Sequence, residues 1–104
     1  MGKYVLAYKG GGMAATDEER QAAMAAWGNW FGTLGPAIVD AGNPFGPSAT
    51  VGSRGALSDG ASSGLTGYSV LNADSLAAAG ELAKGCPVLS AGGSVEVYET
   101  FEVM

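Results

Sequence analysis

The chain has 104 residues, enough for one domain but too few for a catalytic domain beside a regulatory one. Hydrophobic residues make up 47% and charged residues 14%, so the sequence is too apolar to be intrinsically disordered. It contains no histidine, which removes His-based acid–base catalysis, Ser-His-Asp and Cys-His nucleophiles, and almost every zinc site.

The charge balance argues against polyanionic partners. Ten acidic and five basic residues give a net charge of −5, and the basic residues are scattered along the chain. No cationic stripe can therefore neutralise phosphates, which disfavours nucleic acid and anionic membrane surfaces. The N-terminal apolar run stops at Lys9, too early for a signal peptide, and Cys86 is the single cysteine. We expect a soluble, cytoplasmic protein.

The first half of the chain predicts a strand, a helix and a second strand. Lys3–Lys9 has strand composition and is closed by three glycines. Thr16–Leu34 carries apolar residues at helical spacing, and Glu19 stands three positions after Thr16, as in a capping box. Ala37–Ala41 has the composition of a second strand, which a Gly- and Pro-rich turn then interrupts.

The second half repeats this pattern. Strand character resumes briefly at Ala49–Gly52, and the polar, Gly- and Ser-rich stretch Ser53–Leu65 predicts a mobile loop. Gly67–Ala73 predicts a third strand, and Asp74 is placed to cap a second helix. Ser94–Phe101 alternates as a fourth strand.

Two successive β-α-β halves predict one α+β domain spanning residues 1–104, with the ferredoxin-like order βαββαβ. In this fold a four-stranded antiparallel sheet carries both helices on one face. Right-handed crossovers in both halves would place the four predicted strands, numbered along the chain, in the order 4-1-3-2.

Apolar side chains are predicted on both faces of this sheet. In the first strand, for example, Leu6 and Val5 must point in opposite directions. Two helices can cover only one face, so we expect a homodimer packed sheet to sheet, in which Val97→Lys weakens association. The alternative is that Ser53–Leu65 folds over the second face.

Four segments along the chain follow the pattern of a known family. They are Lys3–Tyr8, Met24–Trp27, Gly67–Leu71 and Gly93–Val97. Together they resemble the YCII-related family, and more closely its branch named for an Asp-Gly-Pro-Phe motif. The resemblance implies a dimeric α+β barrel and says little about function, because much of the family is uncharacterised.

Two departures limit what this resemblance carries over. Asp59-Gly60-Ala61-Ser62 stands where the branch has Asp-Gly-Pro-Phe, so the Pro-Phe half is missing. Better-studied relatives are suspected of using a His–Asp pair, which would fall near residues 24–27 and 85–86. Neither position holds such a residue in this chain. The acid–base chemistry of those relatives therefore does not transfer.

Asp40 is the candidate catalytic residue. It lies in the apolar run Ala37–Ala41, and such surroundings disfavour an unpaired charged carboxylate, which is one way to make a general acid or base. The alternative is a structural role, in which Asp40 caps the turn toward Gly42 or pairs with Arg54.

The first helix predicts a binding pocket beneath it. Trp27 and Phe31 share one face of this helix, where they cover the sheet or form the wall of a pocket for a flat ligand. Gly28 and Gly32 leave gaps beside them in which a small molecule could lodge. The candidate ligand-binding residues are Trp27, Asp40, Arg54, Tyr68 and Tyr98.

Three functions stay open from the sequence. The first is binding of a small, partly apolar molecule in that pocket. The second is a dimeric-barrel enzyme of the isomerase, lyase or monooxygenase kind, with Asp40 as base and Tyr68 or Arg54 orienting the substrate. The third is an interaction module without a ligand. None of them calls for a cofactor or a metal.

Overall fold

A sheet with helices packed on one face organises the chain, which the computed structural model describes over residues 2–11 and 15–103. Its strands are β1 (Gly2–Lys9), β2 (Ile38–Asp40), β3 (Ala49–Val51), β4 (Leu57–Asp59), β5 (Leu65–Ala73) and β6 (Ser94–Glu99). Its helices are α1 (Asp17–Leu34), α2 (Leu76–Ala83) and α3 (Pro87–Ser90), and a 3-10 turn at Gly35–Ala37 links α1 to β2.

The main sheet is antiparallel and has four strands in the order β2-β5-β1-β6. Read from the other edge, β6 lies beside β1, which lies beside β5, and β2 follows. The two long central strands, β1 and β5, pair from Gly2 opposite Ala73 to Lys9 opposite Leu65. This α+β arrangement confirms the predicted class and is compatible with a ferredoxin-like fold.

The helices cover one face of this sheet, which we call the covered face. Leu6 and Leu71 point into it and are fully buried. Trp30 and Leu34, near the end of α1, pack in the same cluster. A second cluster joins Tyr4 to Ala79 of α2. The core contacts of α1 and of α2 thus fall on the same side of the sheet.

Val97 also belongs to the covered face. It packs against both core clusters and lies opposite Leu6 across the β1–β6 pair. The expectation that Val97→Lys probes a dimer interface on the uncovered face is therefore wrong, because Val97 points to the helices.

The helix N-termini follow the predicted chemistry with one correction. At the start of α1 the Glu19 N–H donates to Thr16 Oγ1 at 3.1 Å, and Glu19 Oε2 accepts from the Ala15 N–H at 2.9 Å. At α2 the cap is Ser75, whose Oγ accepts from the Ala78 N–H at 3.0 Å. Asp74 was predicted for this role, but α2 begins at Leu76, which leaves Asp74 one residue too early.

The predicted loop Ser53–Leu65 contains a strand. β4 pairs with β3 in a separate two-stranded hairpin, with Val51 opposite Leu57. These two side chains are 66% and 74% exposed, and every residue of both strands is exposed. The hairpin therefore buries none of its own side chains on the uncovered face of the main sheet.

Candidate functional site

The principal concave site is a cavity of about 900 Å³ beneath α1. Its lining comes from the end of β1, the middle of α1, the loop after β2, the first residues of β5, and α3 with the residue that follows it. That volume is within the range of ligand pockets, which is roughly 300–1,000 Å³. The site thus lies at one end of the sheet, on the covered face.

Aromatic rings form one wall of the cavity. Tyr8, Trp27 and Phe31 line it, and the Trp27 ring meets Tyr8 edge-on with centroids 5.1 Å apart. Phe31 lies 5.8 Å from Trp27 between centroids. Trp30 stands behind them, buried, and its indole N–H donates to the Leu82 carbonyl at 3.2 Å. The wall is therefore fixed to both β1 and α2.

A buried hydrogen-bond relay holds Tyr8 in place. The Tyr8 hydroxyl donates to Ser69 Oγ at 2.6 Å, and the Ser69 hydroxyl donates to the Ala41 carbonyl at 2.6 Å. Burial raises the pKa of Tyr8 to about 12, against the opposing effect of the Ser69 hydrogen bond. Tyr8 is therefore a neutral wall residue, and the relay ties the loop after β2 to the sheet.

This relay predicts unequal effects for its two members. Ser69→Ala leaves both the Tyr8 hydroxyl and the Ala41 carbonyl without this partner, so we expect a loss of about 2–3 kcal/mol in the free energy of unfolding. Tyr8→Phe leaves the Ser69–Ala41 bond intact and should cost about 1 kcal/mol. Urea denaturation of both variants measures the difference, and equal losses would contradict the directional relay.

Glycines let α3 approach the end of β1. A Cβ on Gly93 would lie 2.5 Å from the Lys9 carbonyl oxygen and 2.7 Å from Val88 Cγ2. On Gly11 it would lie 2.9 Å from the same Val88 atom. Only bare backbone fits at these distances, so both glycines keep Val88 against the strand, where it lines the cavity.

The two glycines of α1 that the sequence singled out differ in position. Gly28 lines the cavity, whereas Gly32 is not among its lining residues. Beyond its chain neighbours and the nearby backbone of α1, a Cβ at either site would meet no atom of the described residues within 4 Å. The predicted gap beside the aromatic residues therefore exists at Gly28, and Gly32 provides a matched position outside the cavity.

Of the five candidate ligand-binding residues, Trp27 alone lines this cavity. Tyr68 and Tyr98 belong to the opposite, uncovered face, because they share it with Ala7 and Val5, their cross-strand partners. Arg54 lies in the exposed turn of the β3–β4 hairpin. The predicted set is thus divided between the two sides of the sheet and the hairpin.

Asp40 has the structural role that the sequence offered as the alternative. Its Oδ1 accepts from the Gly42 N–H at 2.8 Å, which closes the turn after β2. Its Oδ2 accepts from the Tyr68 hydroxyl at 3.4 Å, and the Tyr68 ring stacks on Phe45 with centroids 5.8 Å apart. Asp40 is exposed and no ion pair joins it to Arg54 among the described residues. Nothing in this geometry favours catalysis by Asp40.

Tyr98 and Cys86 contribute no reactive group to the cavity. The Tyr98 hydroxyl donates to Glu96 Oε1 at 3.1 Å, and this hydrogen bond raises the pKa of Tyr98. Cys86 is buried at the start of α3, and burial raises the pKa of its thiol to about 11. Cys86 is therefore a protonated core residue at neutral pH.

Several kinds of site are missing from the part of the chain that the structure describes. No three His, Cys, Asp or Glu side chains cluster there in a way that could hold a metal ion. Over the same residues, no helix combines the length and the apolar character needed to cross a membrane.

Sequence reasoning missed most of the cavity wall. Tyr8 was treated only as a strand residue, Val88 belongs to a helix that was not predicted, and Asn43 and Pro44 were treated only as a turn. The available signal was the pair of Gly-rich breaks after the first and second strands, where the backbone turns sharply and leaves space beside the helix.

Comparison with protein-family models, with curated proteins and with solved structures finds no match for this chain. The resemblance to the YCII-related family therefore stays a prediction, and the functional argument depends on the geometry.

Proposed function

We propose that this protein binds a small, partly apolar molecule in the cavity beneath α1. The observation that carries the proposal is the cavity itself, about 900 Å³ with Tyr8, Trp27 and Phe31 along one wall. Ligand sites are typically concave and mostly apolar, with a few polar groups that fix orientation. No observation gives comparable support to an enzyme that uses Asp40.

Filling the cavity tests this proposal. Gly28→Leu projects a side chain into the site, so the affinity for a neutral aromatic probe, 2-naphthol, should fall by about tenfold or more. Gly32→Leu makes the same change on the same helix outside the lining and should leave the affinity unchanged. Isothermal titration calorimetry provides the measurement, and equal affinities for the two variants would contradict binding beneath α1.

We further propose a homodimer formed through the uncovered face, with the two sheets enclosing a dimeric α+β barrel of ferredoxin-like protomers. Support comes from the apolar residues in neighbouring strands of this face. Val70, Val5 and Tyr98 form one row across β5, β1 and β6, and Tyr68 lies beside Ala7 in the next row. Tyr98 is 52% exposed in the single chain, and among the described residues the helices pack in the core clusters on the other face.

A dimer of this kind would agree with the resemblance to the YCII-related family, which we retain as a proposal together with a cytoplasmic location. Sedimentation of the chain across the micromolar range tests the dimer directly. A dimer mass is expected, and a monomer mass throughout would contradict it without affecting the cavity, which is on the other side of the sheet.

A further inference from the structure

No charged side chain is found among the described residues that line the cavity. The chain has ten acidic and five basic residues, yet none of them is among the described lining residues. Among these described lining residues the one ionisable group is the Tyr8 hydroxyl, which already donates a hydrogen bond to Ser69 Oγ. Asp40, next to the lining residue Ala41, has one oxygen on the Gly42 N–H and the other on Tyr68.

An ionic ligand would therefore lose hydration in this cavity without gaining a counter-charge. Transfer of an unpaired charge into apolar surroundings is strongly unfavourable, whereas a neutral polar group needs only one hydrogen-bond partner. The net charge of −5 adds a further, weaker penalty for anions. Charge thus separates the ligands that this wall accepts from those it rejects.

The uncharged polar groups of the lining suit one hydrogen-bonding end of a ligand. Asn43 and Ser90 line the cavity, are exposed, and bring an amide and a hydroxyl. The rings of Tyr8, Trp27 and Phe31 also line the cavity, and they pack favourably against another ring. A ligand with one neutral ring and one polar group would contact both the aromatic wall and the polar side chains of the lining.

We infer that the cavity selects uncharged, ring-bearing molecules with a single hydrogen-bonding group, such as phenols or neutral heterocycles, over their carboxylate and ammonium counterparts. This inference rests on the proposed function, because it specifies the ligand class of the same cavity. It adds a selectivity that the size of the cavity alone does not require.

Three naphthalene probes of similar shape test it: 2-naphthol, 2-naphthoate and 2-naphthylmethylammonium. At neutral pH they are respectively neutral, anionic and cationic. Calorimetric titration of the unmodified chain should give 2-naphthol an affinity at least about tenfold above either charged probe, because only the charged probes lose hydration without compensation.

A charge placed in the wall should change this selectivity. Ala23 lines the cavity and Ala25 does not, although both are exposed on α1. Ala23→Arg should therefore raise the affinity of 2-naphthoate relative to 2-naphthol by about tenfold, and Ala25→Arg should leave the ratio unchanged.

The outcomes separate the two proposals. The inference is supported if the unmodified chain prefers 2-naphthol, and if Ala23→Arg reduces or reverses this preference while Ala25→Arg leaves it unchanged. If a charged probe binds the unmodified chain as tightly as 2-naphthol, the inference is overturned while binding beneath α1 stands. If none of the three probes binds, the proposed function fails and the inference fails with it.

Discussion

A Gly42→Ala chain is expected to lose roughly 3 kcal/mol or more of its free energy of unfolding. Gly42 has a φ of +75°, which L residues with a Cβ rarely adopt. A Cβ there would also overlap the carbonyl oxygen of Tyr68, a backbone atom of the central strand β5. The strand cannot move aside without breaking its pairing with β1, so both penalties apply together.

Gly46→Ala provides the matched control for this substitution. Gly46 belongs to the same connection between β2 and β3, its φ is not in the left-handed region, and a Cβ there would meet no atom within 4 Å. We expect its unfolding free energy to stay within about 0.5 kcal/mol of the unmodified chain. Thermal and urea denaturation measure both variants. A Gly42→Ala chain as stable as Gly46→Ala would show that the turn after β2 does not bring Gly42 against the Tyr68 carbonyl.

The second large effect is expected at the uncovered face. Val70 and Val5 lie opposite each other on the central strands, at the middle of this face. Val70→Lys would therefore place one ammonium group from each protomer inside the proposed sheet-to-sheet interface. Burial of these charges between the two sheets should weaken association by at least about a hundredfold, even though Asp40 lies opposite position 70 in the β2–β5 pair. Sedimentation velocity at several concentrations should show dimers of the unmodified chain and monomers of Val70→Lys.

Leu89→Lys controls for the added charge. Leu89 is 42% exposed in α3 and lies outside the uncovered face, so this variant should dimerise like the unmodified chain. If Val70→Lys dimerises equally well, the interface is elsewhere. Far-UV circular dichroism of both variants shows whether the fold persists, which a half-buried position such as Val70 should permit.

The helices α1 and α2 and the long strands could be predicted because their signals are local, whereas the four-residue helix α3 was missed. The Thr16 cap of α1 and the strand composition of β1 each depend on residues a few positions apart, and both were confirmed. Strand character was predicted at Ala49–Gly52, where β3 lies, but β4 and the hairpin were missed because β4 has only three residues within a Gly- and Ser-rich stretch. Its pairing depends on cross-strand contacts that no local pattern reveals.

The candidate site was harder to predict than the fold. Alternation separated Tyr68 from Leu71, but the face that receives the helices is decided by packing between distant elements. Tyr68 and Trp27 consequently fell on opposite sides of the sheet, although the sequence placed them in one pocket. For Asp40, a register shift in the β2–β5 pair and the following turn determine its partners, and both lie beyond local patterns.

The uneven packing of α1 has a consequence for amide hydrogen exchange. Asp17–Ala26 is exposed throughout, whereas Trp30 and Leu34 are buried in the core. Local opening requires little free energy where few side chains are packed, so deuterium should enter the first turns fastest and the last turns slowest. Ala22 and Ala23 belong to the fast-exchanging turns and also line the cavity. An occupant of the cavity would therefore slow exchange in the turns that the isolated chain protects least.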